Sequence, residues 1–135
     1  MTSDIKGGCF CGRVQYAIAD EAYLSADCHC TLCRRIHAAP FVRWLVVPAD
    51  RFRYLGDAPA ELRSSATGTR YFCPHCGTHV ACITAAHPDV VDVALGSLEA
   101  PERFPATVEV FTDTRLHARS SDCAEQPIGC PANGT

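Results

Sequence analysis

Seven of the ten cysteines in this 135-residue chain fall into three tight groups: Cys9-x-Cys11, Cys28-x-Cys30-x-x-Cys33 and Cys73-x-x-Cys76. So many thiols in so short a chain point to disulfides or metal. Two thiolates in a CxxC turn converge on one cation while backbone N–H groups bond their sulfurs, and a closed tetrahedral zinc site takes two such pairs. Seven ligands divide as four plus three. The middle group brings three sulfurs within six residues of chain, close enough to face one metal, and leaves the two outer pairs to combine.

Charge and coordination number make the two sets different. Four thiolates fill the tetrahedron around Zn²⁺ and give it a double negative charge, so Cys9, Cys11, Cys73 and Cys76 read as a structural site. Three thiolates leave a single negative charge and one position free for water, a thiol or an oxygen, which is what a catalytic zinc requires. Cys28, Cys30 and Cys33 are therefore the candidate catalytic residues. Coordination deprotonates an incoming thiol at neutral pH, and a thiolate facing a carbonyl carbon begins carbon–sulfur chemistry. Arg34 and Arg35 follow the triad directly. One of them, Arg34 first, is expected to compensate charge when a further thiolate enters, or to clamp a substrate carboxylate; two solvated arginines are the plainer reading. His29 sits between two ligands, where it is a candidate fourth ligand or acid/base group, although the middle side chain of CxC tends to point away.

The competing readings differ in compartment. A disulfide framework needs an oxidising environment, whereas Met1 to Gly8 carries no apolar run of signal-peptide length. The expectation is a soluble, cytoplasmic protein with reduced thiols. The longest apolar stretches, Leu45-Val46-Val47 and Val90-Val91 to Leu95, fall far below the ~18 residues of a membrane span. A net charge of −3 and an isoelectric point near 6.0 leave no cationic field for nucleic acid or anionic lipid. A redox CxxC sits before a helix in a βαβ context that is missing here. Two readings stay open beside the enzyme: a single structural zinc with an idle triad, and a non-catalytic zinc-stapled β module that binds a protein partner.

Between the cysteine groups, apolar residues recur at period two and are rich in β-branched and aromatic types, as in strands on a half-buried pleated surface. This pattern predicts strands at Gly12–Ile18, Phe41–Val47, Phe52–Leu55, Leu62–Ser65, Thr69–Phe72, His79–Ile83, Val90–Leu95 and Thr107–Thr112. Turn chemistry at Gly56-Asp57, Thr67-Gly68, His87-Pro88-Asp89 and Pro101 separates them. The expected fold is a small, mostly β, antiparallel domain over residues 1–112, with little helix beyond one or two turns at Thr31–His37. Its 47% hydrophobic content supplies a core. After Thr112 the pattern fades, and residues 113–135 are expected to form a loosely ordered tail. Cys82 is expected to pack as a small apolar residue on its strand, and Cys123 and Cys130 carry no motif.

Three blocks carry a resemblance: Gly7-Gly8-Cys9-Phe10-Cys11-Gly12-Arg13-Val14-Gln15-Tyr16, Cys28-His29-Cys30-Thr31-Leu32-Cys33-Arg34-Arg35, and Arg70-Tyr71-Phe72-Cys73-Pro74-His75-Cys76-Gly77-Thr78. With a weaker echo at Gly96-Ser97-Leu98-Glu99, the chain from Gly7 to Thr112 resembles the glutathione-dependent formaldehyde-activating enzyme family, which includes the related centromere protein V group. The resemblance implies a β-tent type fold and two zinc ions per chain. One is structural, on Cys9, Cys11, Cys73 and Cys76; the other is catalytic, on Cys28, Cys30 and Cys33. The family's named activity adds glutathione to formaldehyde to give S-hydroxymethylglutathione, formally a carbon–sulfur lyase run in reverse. The implied partners are thus a small thiol such as glutathione and a small aldehyde. Ile36-His37-Ala38-Ala39-Pro40 stands where relatives often carry a more glycine-rich run, which predicts a reshaped mouth of the substrate site.

Overall fold

Among the described residues ten short strands form, most of them on alternating apolar and polar side chains: β1 (Ile5–Gly8), β2 (Gln15–Ile18), β3 (Leu24–Cys28), β4 (Val42–Pro48), β5 (Phe52–Tyr54), β6 (Ala60–Arg63), β7 (Gly68–Phe72), β8 (His79–Thr84), β9 (Val90–Ala94) and β10 (Val108–Val110). The single α-helix among the described residues, α1, spans Thr31–His37, and single 3-10 turns link several strands. The computed structural model describes residues 3–117 and 119–130. The expectation of a tail over 113–135 falls partly on residues outside these.

Two sheets form. The smaller has the order β1-β2-β5 and the larger the order β10-β3-β4-β9-β8-β7-β6. All pairings are antiparallel except β10 with β3, which run parallel with Val108 opposite Ala26 and Val110 opposite Cys28. That pair departs from the all-antiparallel expectation. A parallel edge needs a long crossover between its strands, and the whole β4–β9 segment supplies it.

The larger sheet has two working faces because side chains alternate along each strand. One face, with Leu45, Val47, Val91, Val93 and Ala81, packs with Val14, Tyr16 and Ile18 of the small-sheet hairpin into the main core. Leu45, Val47 and Val93 are wholly buried, as are Tyr16 and Ile18. The opposite face carries Cys28, Val42, Trp44, Cys82 and Ala94, which form a second cluster together with Cys33 of α1. The middle strands β4 and β9 therefore separate a structural core from the surface on which a site can be built.

Two strands escape a period-two reading. β1 is half glycine, and Gly7 is there because nothing larger fits: a Cβ at this position would stand 2.3 Å from the Tyr16 hydroxyl and 2.6 Å from the Ser97 carbonyl oxygen. β3 mixes polar residues into a buried strand, with Ser25 and Asp27 almost wholly covered. Arg43 on β4 satisfies Asp27 with a two-pronged ion pair of 2.6 and 2.9 Å, directly across the ladder, which is how a buried carboxylate is kept. The helix ends on Ala38, held in the left-handed region at φ 49°.

His37, the last residue of α1, packs edge-on against Trp44 and lies 5.4 Å from His79. Its Nε2 is buried without a partner. Burial, then the neighbouring His79 and Arg70, lower its pKa from about 6.5 to about 4.

Three outcomes follow from this packing. Leu45→Ala should destabilise the fold by ~2–5 kcal/mol in urea titration, the range for a large-to-small change in a sealed core. Gly7→Ala should cost ~1–3 kcal/mol by the same measurement, since Tyr16 and the backbone at Ser97 must move apart. For His37 the unfolded chain takes up the proton first as the pH falls below 6.5, while the folded chain resists until about 4. Its contribution is therefore complete above pH 6.5 and lost on acidification through that window. The melting temperature of His37→Phe should fall less steeply than that of the parent between those pH values.

Candidate metal centres

The four-cysteine cluster is assembled by two turns of the same design. Cys9 and Cys11 occupy the turn between β1 and β2, and Cys73 and Cys76 the turn between β7 and β8. In the first, Val14 N–H donates to the Cys9 sulfur at 3.2 Å; in the second, Cys76 N–H donates to the Cys73 sulfur at 3.4 Å. Gly12 at φ 82° and Gly77 at φ 84° let each turn reverse. Phe10 N–H donates to the Thr78 hydroxyl at 3.1 Å and ties one turn to the other. The Thr78 side chain and backbone also hold the Cys76 thiol down, near a pKa of 5.

The resulting sulfurs lie within 4.8 Å of one another. Cys9 and Cys11 are 3.6 Å apart, and Cys11 and Cys73 are 3.7 Å apart. A tetrahedral ion with Zn–S bonds of ~2.3 Å spaces its sulfurs by ~3.8 Å, against ~2.05 Å for a disulfide. The cysteines are free, and their spacing suits a metal.

The second cluster is built from one continuous segment. Cys28 closes β3, Cys30 caps α1 with its sulfur accepting Cys33 N–H at 3.2 Å, and Cys33 is buried in the first turn. These three sulfurs also lie within 4.8 Å of one another, with Cys28 and Cys33 3.6 Å apart, so the same spacing argument applies. The thiols share protons unequally. Hydrogen bonding from Cys28, then from Cys30, with the charge of Arg70, draws Cys33 down to about 5, whereas Cys28, as the donor in that contact, is pushed up. The donor set is soft, three-sided and fitted to a thiophilic cation such as zinc.

Arg70 was not marked by the sequence as part of this site. It comes from β7, is only 5% exposed, and places both terminal guanidinium nitrogens 3.6 Å from the Cys33 sulfur. Its Nε donates to the Ser64 hydroxyl at 3.2 Å, and the guanidinium lies over the Trp44 ring at 5.7 Å. A buried cation needs a counter-charge, and the triad sulfur supplies it. Arg34 sits on α1 and Arg35 beside it; both line a shallow recess with Ala38, Pro40 and Leu116, away from this contact. The Arg34 side chain makes no hydrogen bond or ion pair among the described residues.

His29 turns away from the triad. Its Nε2 lies 3.0 Å from Glu109 Oε1, its ring packs on Phe41, and its carbonyl oxygen accepts from the Thr114 hydroxyl at 2.8 Å. Glu109 is held in turn by Arg115 at 2.9 Å. His75 is exposed, as are Cys123 and Cys130. Cys82 is buried on β8, in a cross-strand row that reads Arg70, Cys82, Asp92, Val46, Leu24 from β7 to β3.

That row floors a cavity of about 460 Å³ which reaches Cys28, Cys30 and Cys33. The four-cysteine cluster lines no part of it. A larger cavity of about 680 Å³ runs between Cys9, Phe10, His37 and His79 but touches no triad sulfur. Within the triad cavity Asp92 is raised above the ordinary carboxylate range by burial and then by the Cys33 charge. The two cysteine clusters thus differ: one ties two turns together and borders a cavity only through Cys9, whereas all three members of the other line a cavity of their own.

No helix of the described residues is long and apolar enough to cross a membrane. Among solved structures, the chain is similar to a crystallised Rhodobacter sphaeroides protein studied as a structural genomics target. The TM-score is 0.63 at 20% identity, covering 78% of this chain and all of that one, a likeness of fold. The family described as glutathione-dependent formaldehyde-activating enzyme matches residues 4–114, a span that contains every strand of the described residues and both cysteine clusters. The chain belongs to the glutathione-dependent formaldehyde-activating enzyme family.

Proposed function

We propose that the protein is a zinc-dependent enzyme of carbon–sulfur lyase type, joining a thiol such as glutathione to a small aldehyde or running the reverse cleavage. What carries this reading is the contrast between the two clusters: all three triad sulfurs belong to residues lining one cavity beside a buried guanidinium, whereas the four-sulfur cluster has no such cation and only Cys9 of it borders a cavity. Cys28, Cys30 and Cys33 would hold the functional ion, and Cys9, Cys11, Cys73 and Cys76 the structural one. A zinc ion at the triad supplies Lewis acidity that lowers the pKa of a bound thiol towards neutrality.

The chain's own residues do the rest. Arg70 offsets the negative charge of the sulfurs and fixes Cys33, so that a further anionic sulfur is accommodated without a net repulsive field. Arg70 rather than Arg34 takes the charge-compensating role. In the addition direction the thiolate sulfur forms a bond to the carbonyl carbon, the C=O π pair moves to oxygen, and oxygen takes a proton equal to the one the thiol gave up. The cavity walls limit the access of water to that exchange.

Thiol–aldehyde exchange, followed by NMR line broadening with glutathione and formaldehyde, should be accelerated by the metal-loaded protein and return to the background rate with chelator; equal rates would end this reading. Cys73→Ser should lose most of the folded population in thermal melts, given apparent zinc-binding free energies of ~10–16 kcal/mol in small zinc domains. Cys30→Ser should instead keep the fold and lose the acceleration. Arg70→Gln should weaken metal retention or exchange rate by ~10–100-fold, as outer partners of metal ligands do. Arg70→Lys, which keeps the charge, should recover part of it.

A further inference from the structure

The cavity at the triad is far larger than a one-carbon electrophile needs. Water occupies ~30 Å³ in the liquid, and a cavity of ~150 Å³ already holds benzene. Here about 460 Å³ is available. The lining is as informative as the volume. Ala26, Trp44, Val46 and Val110 supply the apolar walls, and the exposed Leu24, Leu32, Val108 and Phe111 form an apolar rim. Phe111 is held there in the left-handed region at φ 54°, a conformation a bulky residue adopts only where its surroundings impose it.

The charged residues of this lining are Arg70 and Asp92. Arg70 is engaged by the Cys33 sulfur and by Ser64. Asp92 has no cationic partner among the ion pairs of the described residues. A glutathione molecule carries two carboxylates and an ammonium group. Ser64, Ser65, Thr67 and Thr84 add hydroxyls on one side of the lining, but seating the carboxylates of glutathione here would still bring them against the apolar walls and a like charge, with no free cation to receive them. Its ends belong outside, with the sulfur reaching in, and the walls are left to the other reactant.

We infer that this cavity takes an aldehyde bearing an uncharged apolar body, aromatic or branched aliphatic, as the electrophile at the triad. The inference deepens the proposed reaction and rests on it for the chemistry, while the binding preference stands on the cavity alone. The balance is that of the smaller aldehyde: a carbon–sulfur bond forms, the carbonyl π bond breaks, and the thiol proton is matched by one on the new hydroxyl.

Trp44 is the only tryptophan in the chain and stands in the cavity wall, so its indole N–H resonance reports occupancy directly. Metal-loaded protein would be titrated with benzaldehyde and with 4-carboxybenzaldehyde, which differ by one carboxylate. Benzaldehyde should shift the resonance saturably and bind at least tenfold more tightly. Val46→Glu should erase that preference; should it fail to fold in a melt, the milder Val46→Ser should weaken benzaldehyde binding several-fold. Glutathione exchange with each aldehyde is then followed with and without chelator. Selective binding together with metal-dependent addition to benzaldehyde supports the inference. Metal-dependent addition to formaldehyde, with benzaldehyde unbound or bound no better than its carboxylate, overturns the inference and leaves the proposed reaction standing. Selective benzaldehyde binding with no metal-dependent addition to either aldehyde overturns the reaction and keeps the apolar preference of the cavity.

Discussion

Convergence of two distant turns on one set of four sulfurs is the constraint from which the rest of this small structure follows. Cys11 and Cys73 are 62 residues apart in sequence and 3.7 Å apart in space. Among the described residues no ladder joins the small sheet to the large one; outside its own sheet β1 bonds only to the segment after β9, through the bridge of Gly7 with Leu98 and the Glu99 N–H to Lys6 carbonyl bond beside it. The hairpin of β1 and β2 is therefore held on the large sheet by the main core and by this junction. Once it is fixed, Tyr16 and Ile18 seal one face of the large sheet, with the Tyr16 hydroxyl held 2.6 Å from Ser97.

Sealing one face leaves the other free for a different task. The same strands β4 and β9 contribute Leu45 and Val93 to the core and Trp44 and Asp92 to the cavity. A pleated strand does this without extra residues, because neighbours in sequence point to opposite sides. The triad then needs only one segment, the end of β3 and the start of α1, and its environment is set by side chains that arrive from across the sheet. Rigidity on the core face is what gives the cavity face a defined shape.

The cysteine partition was legible because each of the three groups is local, and counting ligands joins the two outer pairs once the middle three are assigned to one ion. Most strands were legible for the same reason, since period two survives in windows of a few residues. β1 was hidden by its glycines and β3 by Ser25 and Asp27, whose burial depends on Arg43 from the next strand. Arg70 is the clearest instance of what spacing cannot give. It lies three residues from Cys73, a member of the other cluster, yet its guanidinium reaches Cys33. Sequence adjacency favoured Arg34, but a helix carries the side chain after Cys33 off to a different face. A basic residue placed in a strand otherwise bound for burial is the one signal in the sequence that points to Arg70.

The long span between the two knuckles has a consequence for how this chain tolerates change. The entropy of closing a flexible loop grows only logarithmically, so doubling its length adds roughly 0.6 kcal/mol. Insertions at the surface turns between β5 and β6, or between β6 and β7, would therefore leave the junction nearly as easy to close. The cavity borders that same stretch through Ser64, Ser65 and Thr67. A scaffold arranged this way can lengthen its rim, and so vary what it admits, while its anchorage stays untouched.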